Sequence, residues 1–405
     1  MKQVLPAWLF LGALALWGSG PVPARGQPEP DRPPEMIPDA SAPRWRVDRF
    51  AGNSTAGPVL VQGPAREAGG MTRCAVAPAP DGSVFLATGG KWAHDRIVRV
   101  APDGQLRLVA GGGSSLADVP APRAKILVAT RGNSLVYSAP DESLYFVHTM
   151  IPAVRRLFKK ESAWFVETAA GDPNRAGQAD GPAREALFTE PMSIAVTSTG
   201  TIYVLDGGKL LRKIEGGRVS TIAEFSGGPN PVDGPLEQAT MAITDMSGHI
   251  TVGEDDHTLY VADHWHFAAR KIDLEKGTVT TVVGVPRDHP HFNTHADGPA
   301  LSQASFNSGC AYVKWDPVHQ ALWCGGPDEH RFRWLKAGEV RTVIGKRGNR
   351  RWPVDALGLP ADEVSVAWCN VAAVDVRGGV YLVSASHHGV WRAYEKEHEK
   401  KEGDR

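Results

Sequence analysis

The sequence of 405 residues lacks an excess of charge and lacks the short motifs of common enzyme classes. Its 44 Lys and Arg residues balance 45 Asp and Glu residues, which leaves a formal net charge of −1. A balanced chain does not carry the basic surface that binds nucleic acid, so we exclude a nucleic-acid partner. There is no Gly-x-Ser-x-Gly sequence, phosphate-binding glycine loop, His-Glu-x-x-His helix or haem-attachment motif. The corresponding enzyme classes therefore have no support in the sequence.

Long apolar runs are also scarce. One covers residues 5–17, after a start that contains Lys2 and before the small residues 18–20. This order is typical of a secretory signal peptide, because the run is shorter than the roughly 20 residues of a membrane span; an uncleaved anchor is the alternative. We expect a signal peptide at residues 1–26, a disordered Pro-rich spacer at 27–44 and a charged tail at 395–405. The mature protein is then secreted or periplasmic, without a stable membrane span.

What the chain does contain is a phrase that recurs about every sixty residues. The copies "TIYVLDGGKLLRKIEGGRVSTIAEF", from Thr201, and "TLYVADHWHFAARKIDLEKGTVTTVVG", from Thr258, align almost without gaps. Each reads as short apolar strands bounded by Gly, Asp and Pro, a pattern that favours an all-β fold over alternating strands and helices. Repetition at this period indicates one supersecondary unit used many times.

The repeat resembles that of the NHL-repeat family of β-propellers. The match includes an Asp-Gly pair, a Pro-led apolar strand, an aromatic-Val-x-Asp strand, a basic strand and a β-rich run. In the third copy these are Asp180-Gly181, Pro191–Val196, Tyr203–Asp206, Leu211–Ile214 and Val219–Ala223. The resemblance implies blades of four antiparallel strands, a to d, arranged around an axis. Such propellers host binding, scaffolding and catalysis, so it implies a fold and not one function.

Six repeats fill residues 45–394, and the two ends of this region complement each other. Fourth strands are predicted to end near six positions: Gly52, Gly111, Gly171, Phe225, Gly284 and Gly345. Trp45–Gly52 is a fourth strand with no blade before it, whereas the last copy stops after its third strand at Val390–Tyr394. Pairing the two would close a six-bladed ring and remove exposed sheet edges. We therefore expect closure by the N-terminal strand.

Unusual aromatic and imidazole side chains concentrate on one face of this predicted ring. On this face strands a and c begin and strands b and d end, and we call it the b–c face. Eight residues are the predicted binding surface: Trp92, His94, His264, Trp265, His266, Trp368, His387 and His388. Aromatic rings offer contact area with few rotors to immobilise. The alternatives are histidines that shape turns, as His266 and His388 would, or a metal site for which no third ligand is fixed by spacing.

A second set of polar residues lies at or just before the innermost strands, where side chains from different blades converge on the axis. Its members are Arg73, Asn133, Glu190, Asp245, Asn307 and Asn370. Six-bladed lactonases, which this sequence resembles in architecture only, hold a divalent cation at such positions. A divalent cation is therefore a candidate cofactor, against the alternative of an ordinary wet channel. The Asp-Gly-Pro phrases at Asp180, Asp233 and Asp297 read as turns rather than calcium loops, because each offers one carboxylate.

The four cysteines allow two disulfides in an exported chain. Cys310 begins strand a of blade five and Cys324 ends its strand b, so we expect these two to be bridged. Cys74 and Cys369 occupy similar inner positions of blades one and six, which suggests a second bridge across the seam. The alternative is four buried thiols.

The sequence thus predicts a secreted or periplasmic, monomeric six-bladed propeller. Its expected function is to bind a protein, peptide or glycan on the b–c face. The alternative is an enzyme, a metal-assisted lactonase, hydrolase or lyase, that acts at the mouth of the axial channel. A bound cation at the axis would favour the enzyme, and the aromatic residues of one face favour the binding protein.

Overall fold

Six five-stranded antiparallel sheets make up most of the described part of the chain. The computed structural model describes residues 45–55, 62–71, 74–88, 93–129, 133–243, 249–307, 309–326, 331–345, 359–364, 369–384 and 388–396. Each sheet is one blade, and its strands follow the order outer strand, d, c, b, a from the rim inwards. The predicted all-β six-bladed propeller is confirmed, but each blade has five strands instead of four.

The bounds are given for each blade in the order outer strand, a, b, c and d. Blade one has Gln62–Pro64, Ala75–Pro78, Val84–Thr88, Arg96–Val100 and Gln105–Gly111; blade two has Val119–Pro120, Leu135–Ser138, Ser143–His148, Ile151–Lys160 and Ala163–Gly171. Blade three has Gly181–Pro182, Pro191–Val196, Ile202–Asp206, Leu210–Glu215 and Arg218–Glu224; blade four has Gly234–Pro235, Ile250–Val252, Thr258–Asp263, Ala268–Asp273 and Thr278–Val283. Blade five has Gly298–Pro299, Tyr312–Asp316, Ala321–Gly325, Phe332–Lys336 and Glu339–Ile344; blade six has Leu359–Pro360, Cys369–Val374, Val380–Ser384, Val390–Glu395 and, as strand d, Trp45–Ala51.

Short elements complete the described fold. Ala93–His94 pairs with Val128–Ala129 between blades one and two. Three single turns of 3₁₀-helix follow outer strands, at Ala65–Glu67, Ala121–Arg123 and Ala361–Glu363. No helix of the described residues is long and apolar enough to span a membrane.

The burial of each strand follows from its place in the stack of blades. All residues of strands b in blades three and four are buried, since neighbouring blades cover both faces of the sheet there. Strand d lies near the rim and alternates, as Arg218–Glu224 shows. In blades three, four and five the outer strand is a Gly-Pro pair that adds to strand d, with Gly181 opposite Val219 in blade three. Proline is tolerated at this edge because no further strand needs its missing N–H group.

The N-terminal strand closes the ring, as predicted. Trp45–Ala51 pairs antiparallel with Val390–Glu395, with Trp45 opposite Glu395 and Val47 opposite Ala393. Trp45 and Val47 are 6% and 1% exposed and belong to one apolar cluster with Trp323 of blade five. The innermost strands contact one another in order around the ring, including blade six against blade one. Closure therefore buries an apolar seam as well as pairing two edges.

The predicted disulfides are wrong. Cys310 and Cys324 are buried thiols, and Cys324 lies opposite Val313 in the strand pairing, not opposite Cys310. Both sulfur atoms lie in the apolar core between blades four and five. Cys74 is also a buried thiol, whose Sγ lies 3.8 Å from the sulfur of Met71, so the bridge to Cys369 is not formed. Burial raises the pKa of Cys74 to about 12, which keeps this thiol protonated and unreactive.

Candidate functional site

The Asp of each Asp-Gly-Pro phrase bonds strands c and d of its own blade together, and we call this contact the clasp. The carboxylate of Asp180 accepts hydrogen bonds from the backbone N–H of Thr221, at 2.8 Å, and from Arg212 Nη2, at 2.8 Å. Asp233 binds Thr281 and the buried Arg270 in the same way in blade four. Sequence reasoning described these phrases as turns and missed the clasp. The sequence does contain a signal for the clasp, because an Arg at one position of strand c and a Thr in strand d recur with each Asp-Gly-Pro phrase.

The buried arginine connects this clasp to the b–c face. Arg270 is fully buried, and its Nη1 donates to Asp263 Oδ2 at 2.9 Å, where Asp263 is the last residue of strand b. Asp263 also accepts from the backbone N–H of Ala242, at 2.9 Å. His266 contacts the same carboxylate through Nδ1, at 2.8 Å. The Asp263 carboxylate, through its ion pair and hydrogen bonds, therefore stabilises the b–c turn of blade four.

Trp265 lies in this turn with a fixed backbone and an exposed side chain. Its N–H donates to the carbonyl of Ala242 at 3.4 Å, and its carbonyl accepts from Arg287 Nη2 at 2.7 Å. The side chain is nevertheless 55% exposed. Phe267, two residues on, has a φ of 55°, a left-handed conformation that costs energy in a residue with a bulky side chain. The surroundings thus hold the turn in a strained shape that presents an indole to solvent.

An open cleft of about 710 Å³ begins beside Trp265 and lies between blades three and four on the b–c face. Phe225 and Met241, both buried, line it. Lys209 and Glu224 also line it and form an exposed ion pair with an Nζ–Oε1 distance of 2.6 Å. An apolar floor with a few polar groups at its edge is the composition of ligand sites. The cleft can therefore take a molecule that has both an apolar face and hydrogen-bonding groups.

The predicted b–c surface is only partly assembled from the residues chosen for it. His266 is buried; burial opposes its charged form, but the hydrogen bond and charge of Asp263 outweigh this and raise its pKa. It supports the turn and does not face a ligand. His264 is half-buried, with its pKa lowered by burial, and its ring packs edge-on against Trp265. His388 is half-buried, and its carbonyl accepts from Ser54 N–H. The predicted residues Trp92, Trp368 and His387, and the side chain of His94, lie outside the described residues.

A second polar cluster occupies the axis, where four blades each contribute one residue. Asn133 comes just before strand a of blade two, and its Nδ2 donates to the carbonyls of Ile194 and Ile250, at 2.8 and 3.2 Å. These two bonds direct its Oδ1 towards Lys314 of blade five, whose Nζ donates to it at 2.5 Å. Ser193 of blade three bonds the backbone of Asn133. Asn133 was predicted as an axial residue, whereas Ser193 and Lys314 were missed.

Burial controls the charge of this axial cluster. Lys314 is 8% exposed, and burial lowers its pKa to about 7. His249, just before strand a of blade four, is 3% exposed; burial and the nearby Lys314 lower its pKa to about 3. His249 is thus neutral at physiological pH, and the Lys314 amine is close to half protonated. A perturbed amine in a converging polar cluster is a marker of functional sites.

The remaining axial predictions are not part of this cluster. Glu190 is exposed, and its backbone N–H donates to Asp206 Oδ1 at 2.6 Å. Asn307 contacts His295 in the linker that enters blade five. Arg73, Asp245 and the side chain of Asn370 lie outside the described residues.

The described axial residues do not fit a divalent cation. Such an ion needs several oxygen ligands with negative charge, and the Oδ1 of Asn133 is already bonded to an ammonium group. Within the described ranges, no three His, Cys, Asp or Glu residues are grouped as metal ligands would be. The chemistry of this donor set therefore favours an anion or a neutral group over a metal.

Comparison with known proteins supports the fold. No known family matches the sequence, and no curated protein matches it. A structure of a Bacteroides thetaiotaomicron VPI-5482 protein of unknown function is 14% identical, covers 87% of this chain and 76% of its own, and has a TM-score of 0.58. Auxiliary nutrient binding proteins of the same strain and of Bacteroides ovatus ATCC 8483 are 12% and 13% identical over 88% of this chain and 78% of theirs, with TM-scores of 0.57 and 0.56. At these identities the similarity shows the propeller fold alone, and the NHL assignment stays a prediction.

Proposed function

We propose that this protein is a secreted or periplasmic binding propeller that captures a peptide, protein or glycan in the Trp265 cleft of its b–c face. The observation that carries the proposal is an exposed indole on a backbone fixed from both sides, at the edge of an open cleft. Because the turn is already ordered, a ligand that stacks on the ring does not have to order it. The auxiliary nutrient binding proteins among the structural neighbours support the same class of function.

The chemistry of the cleft limits the class of ligand. The buried side chains of Phe225 and Met241 offer apolar contact, while Lys209 and Glu224 offer one cation and one anion. An exposed ion pair of this kind contributes little to stability, so its two groups are available to a ligand at small cost. A sugar ring or a peptide with an apolar side chain and nearby polar groups matches this surface.

The test compares Trp265→Ala with a matched variant on the opposite face. Trp315 lies in the second half of strand a of blade five, away from the start of the strand at the b–c face, stacks on Tyr260 with ring centroids 5.8 Å apart, and provides that control. Wild type is first screened on arrays of oligosaccharides and peptides, and the affinity for each hit is measured in both variants. We expect Trp265→Ala to weaken binding at least tenfold, Trp265→Phe to weaken it less, and Trp315→Ala to leave it unchanged. A hit that binds folded Trp265→Ala as tightly as wild type contradicts the proposal.

The enzyme alternative has less support. A metal-assisted lactonase, hydrolase or lyase at the channel mouth needs acidic ligands around the axis. The described part of the axis places the Lys314 amine there instead. We therefore propose binding as the function and keep catalysis as the alternative that a stoichiometric divalent metal in the purified protein would support.

A further inference from the structure

The axial lysine is buried with a neutral partner. Nζ of Lys314 donates to the Asn133 amide oxygen, and among the described residues no carboxylate forms an ion pair with it. A charged ammonium group away from water costs several kcal/mol unless an opposite charge compensates it. An ammonium has three N–H donors, and Asn133 uses one of them. Among the described residues the amine therefore has one acceptor, Asn133, and no counter-charge.

The neighbouring histidine supplies a second unused polar group. Nδ1 of His249 is buried and has no hydrogen-bond partner in the described structure. Buried polar atoms in native proteins are nearly always hydrogen-bonded, so an orphan of this kind requires an explanation. Ile250, the residue after His249, accepts from Asn133 Nδ2, and Asn133 Oδ1 accepts from Lys314 Nζ, which places His249 and Lys314 in one region of the axis. As a neutral ring protonated on Nδ1, His249 can donate one hydrogen bond.

The other polar groups of the cluster are occupied. Asn133 uses both its amide hydrogens on the carbonyls of Ile194 and Ile250. Ser193 Oγ contacts the backbone N–H of Asn133 and of Ile250 at 3.2 and 3.1 Å. Among the described groups of the cluster, the amine and, in its Nδ1-protonated tautomer, the imidazole are thus the ones with unused hydrogen-bond donors.

We propose that Lys314 and His249 bind a small monovalent anion, a halide or a carboxylate, at the axis of the propeller. The anion supplies the missing counter-charge to Lys314 and accepts from both donors. A divalent cation at the same place is repelled by the amine. This site is separate from the Trp265 cleft and does not rest on the binding function proposed for it.

The anion and the Lys314 proton must bind together. Near Lys314, Asn133 of blade two accepts its hydrogen bond, Trp323 lies opposite it in strand b, and His249 of blade four lies close enough for the lysine charge to lower its pKa. His249 is neutral above pH 5, because burial holds its pKa near 3. Lys314, with its pKa lowered by burial to about 7, is the group that titrates. Anion affinity is therefore expected to fall by about tenfold per pH unit above this pKa.

The experiment measures thermal unfolding at pH 6 in a buffer of a bulky sulfonate, with sodium chloride, sodium formate or sodium acetate added at constant ionic strength. At 100 times its dissociation constant, a bound anion is expected to raise the melting temperature by about 3 °C. Comparing the shift of the melting temperature in chloride with the shifts in formate and acetate distinguishes a halide site from a carboxylate site. Lys314→Met should lose the response, and Lys276→Met, which removes a 77% exposed lysine, should keep it.

A second measurement covers the case in which Lys314→Met does not fold. The ³⁵Cl linewidth of wild-type protein in chloride should be broadened at pH 6, narrowed by added formate, and much less broadened at pH 9. The proposal is overturned if none of the three salts changes the melting temperature and the protein does not broaden the ³⁵Cl resonance. A response that persists unchanged in folded Lys314→Met overturns it as well.

Discussion

The closure of the ring can be tested at one tryptophan. Trp45 is 6% exposed and is the first residue of the N-terminal strand. Its ring meets Trp323 and Trp334 of blade five edge-on, with centroids 5.4 and 5.9 Å away. Truncating a buried tryptophan to alanine costs roughly 3–5 kcal/mol of unfolding free energy, from lost burial and from the cavity left behind. We expect Trp45→Ala to lower stability by this amount, measured by urea unfolding followed by circular dichroism.

A double-mutant cycle separates closure from general destabilisation. If Trp45 and Trp323 touch across the seam, the two alanine substitutions should be non-additive, with a coupling energy of about 1 kcal/mol. The control pairs Trp45 with Trp164, which packs against Phe85 in the region of blades one and two and should be additive within about 0.5 kcal/mol. Deleting the chain through Gly52 should cost several kcal/mol more, since the strand pairing is lost too. Additivity of Trp45 with Trp323, or a truncated protein that melts with its parent, would refute this closure.

Three further predictions concern buried charges. Arg270→Met should lower the unfolding free energy by about 3–5 kcal/mol in denaturant titrations, because it removes the buried arginine of the Asp263 ion pair and leaves this carboxylate with His266 and the Ala242 N–H alone; a loss below 1 kcal/mol contradicts this. His266 has a raised pKa in the folded state, so its stabilising contribution is complete below pH 6.5 and is lost as pH rises through the folded value; His266→Gln should flatten this part of the stability curve. Burial lowers the Lys314 pKa from 10.5 to about 7, a penalty of roughly 5 kcal/mol on the charged form, so stability in chloride-free buffer should rise between these pH values and Lys314→Met should abolish the rise. An unchanged slope in that variant would show that Lys314 is charged throughout.

Repetition made most of the fold predictable. The repeated strand phrases specify the blade, and the two unpaired ends specify how the ring closes, which the pairing of Trp45 with Glu395 confirms. The fifth strand was missed for a physical reason. It has only two or three residues, too few to show the alternation that marks a strand, and in blade three the Asp180 clasp rather than the side chains of Gly181 and Pro182 holds it against strand d.

The disulfide prediction failed because the register between two paired strands is set by the three-dimensional structure. Cys310 was placed at the start of strand a and Cys324 at the end of strand b. Cys324 lies in strand b, one residue before its end, but Cys310 lies before strand a. Strand a begins two residues later, at Tyr312, and Tyr312 pairs with Gly325. The two sulfur atoms therefore do not face each other across a strand pair. An offset of this size decides whether cysteines meet and cannot be read from one sequence.

The local sequence says even less about the two candidate sites. Trp265 was predicted because an aromatic residue in a b–c turn stands out in the sequence. Lys314 is the middle residue of the strand "YVKWD", where a lysine would be expected to face solvent. It points to the axis only because strands from four blades meet there, and its partner Asn133 is 181 residues away. No local pattern contains that contact.

The charge of the axis limits what can enter it. A propeller that binds a divalent cation collects carboxylates at its inner strands. Here the described inner strands collect an amine, an amide and a neutral imidazole, and the amine is near its pKa at neutral pH. Each proton lost from Lys314 removes the attraction for an anion, so occupancy of the axis would follow pH between about 6 and 8. Lys209 and Glu224, which line the Trp265 cleft, form an exposed and therefore weak ion pair, so their charges should change ligand binding little over that range. His266 supports the Trp265 turn and also has a raised pKa, so a pH dependence is assigned to the axis only when Lys314→Met removes it.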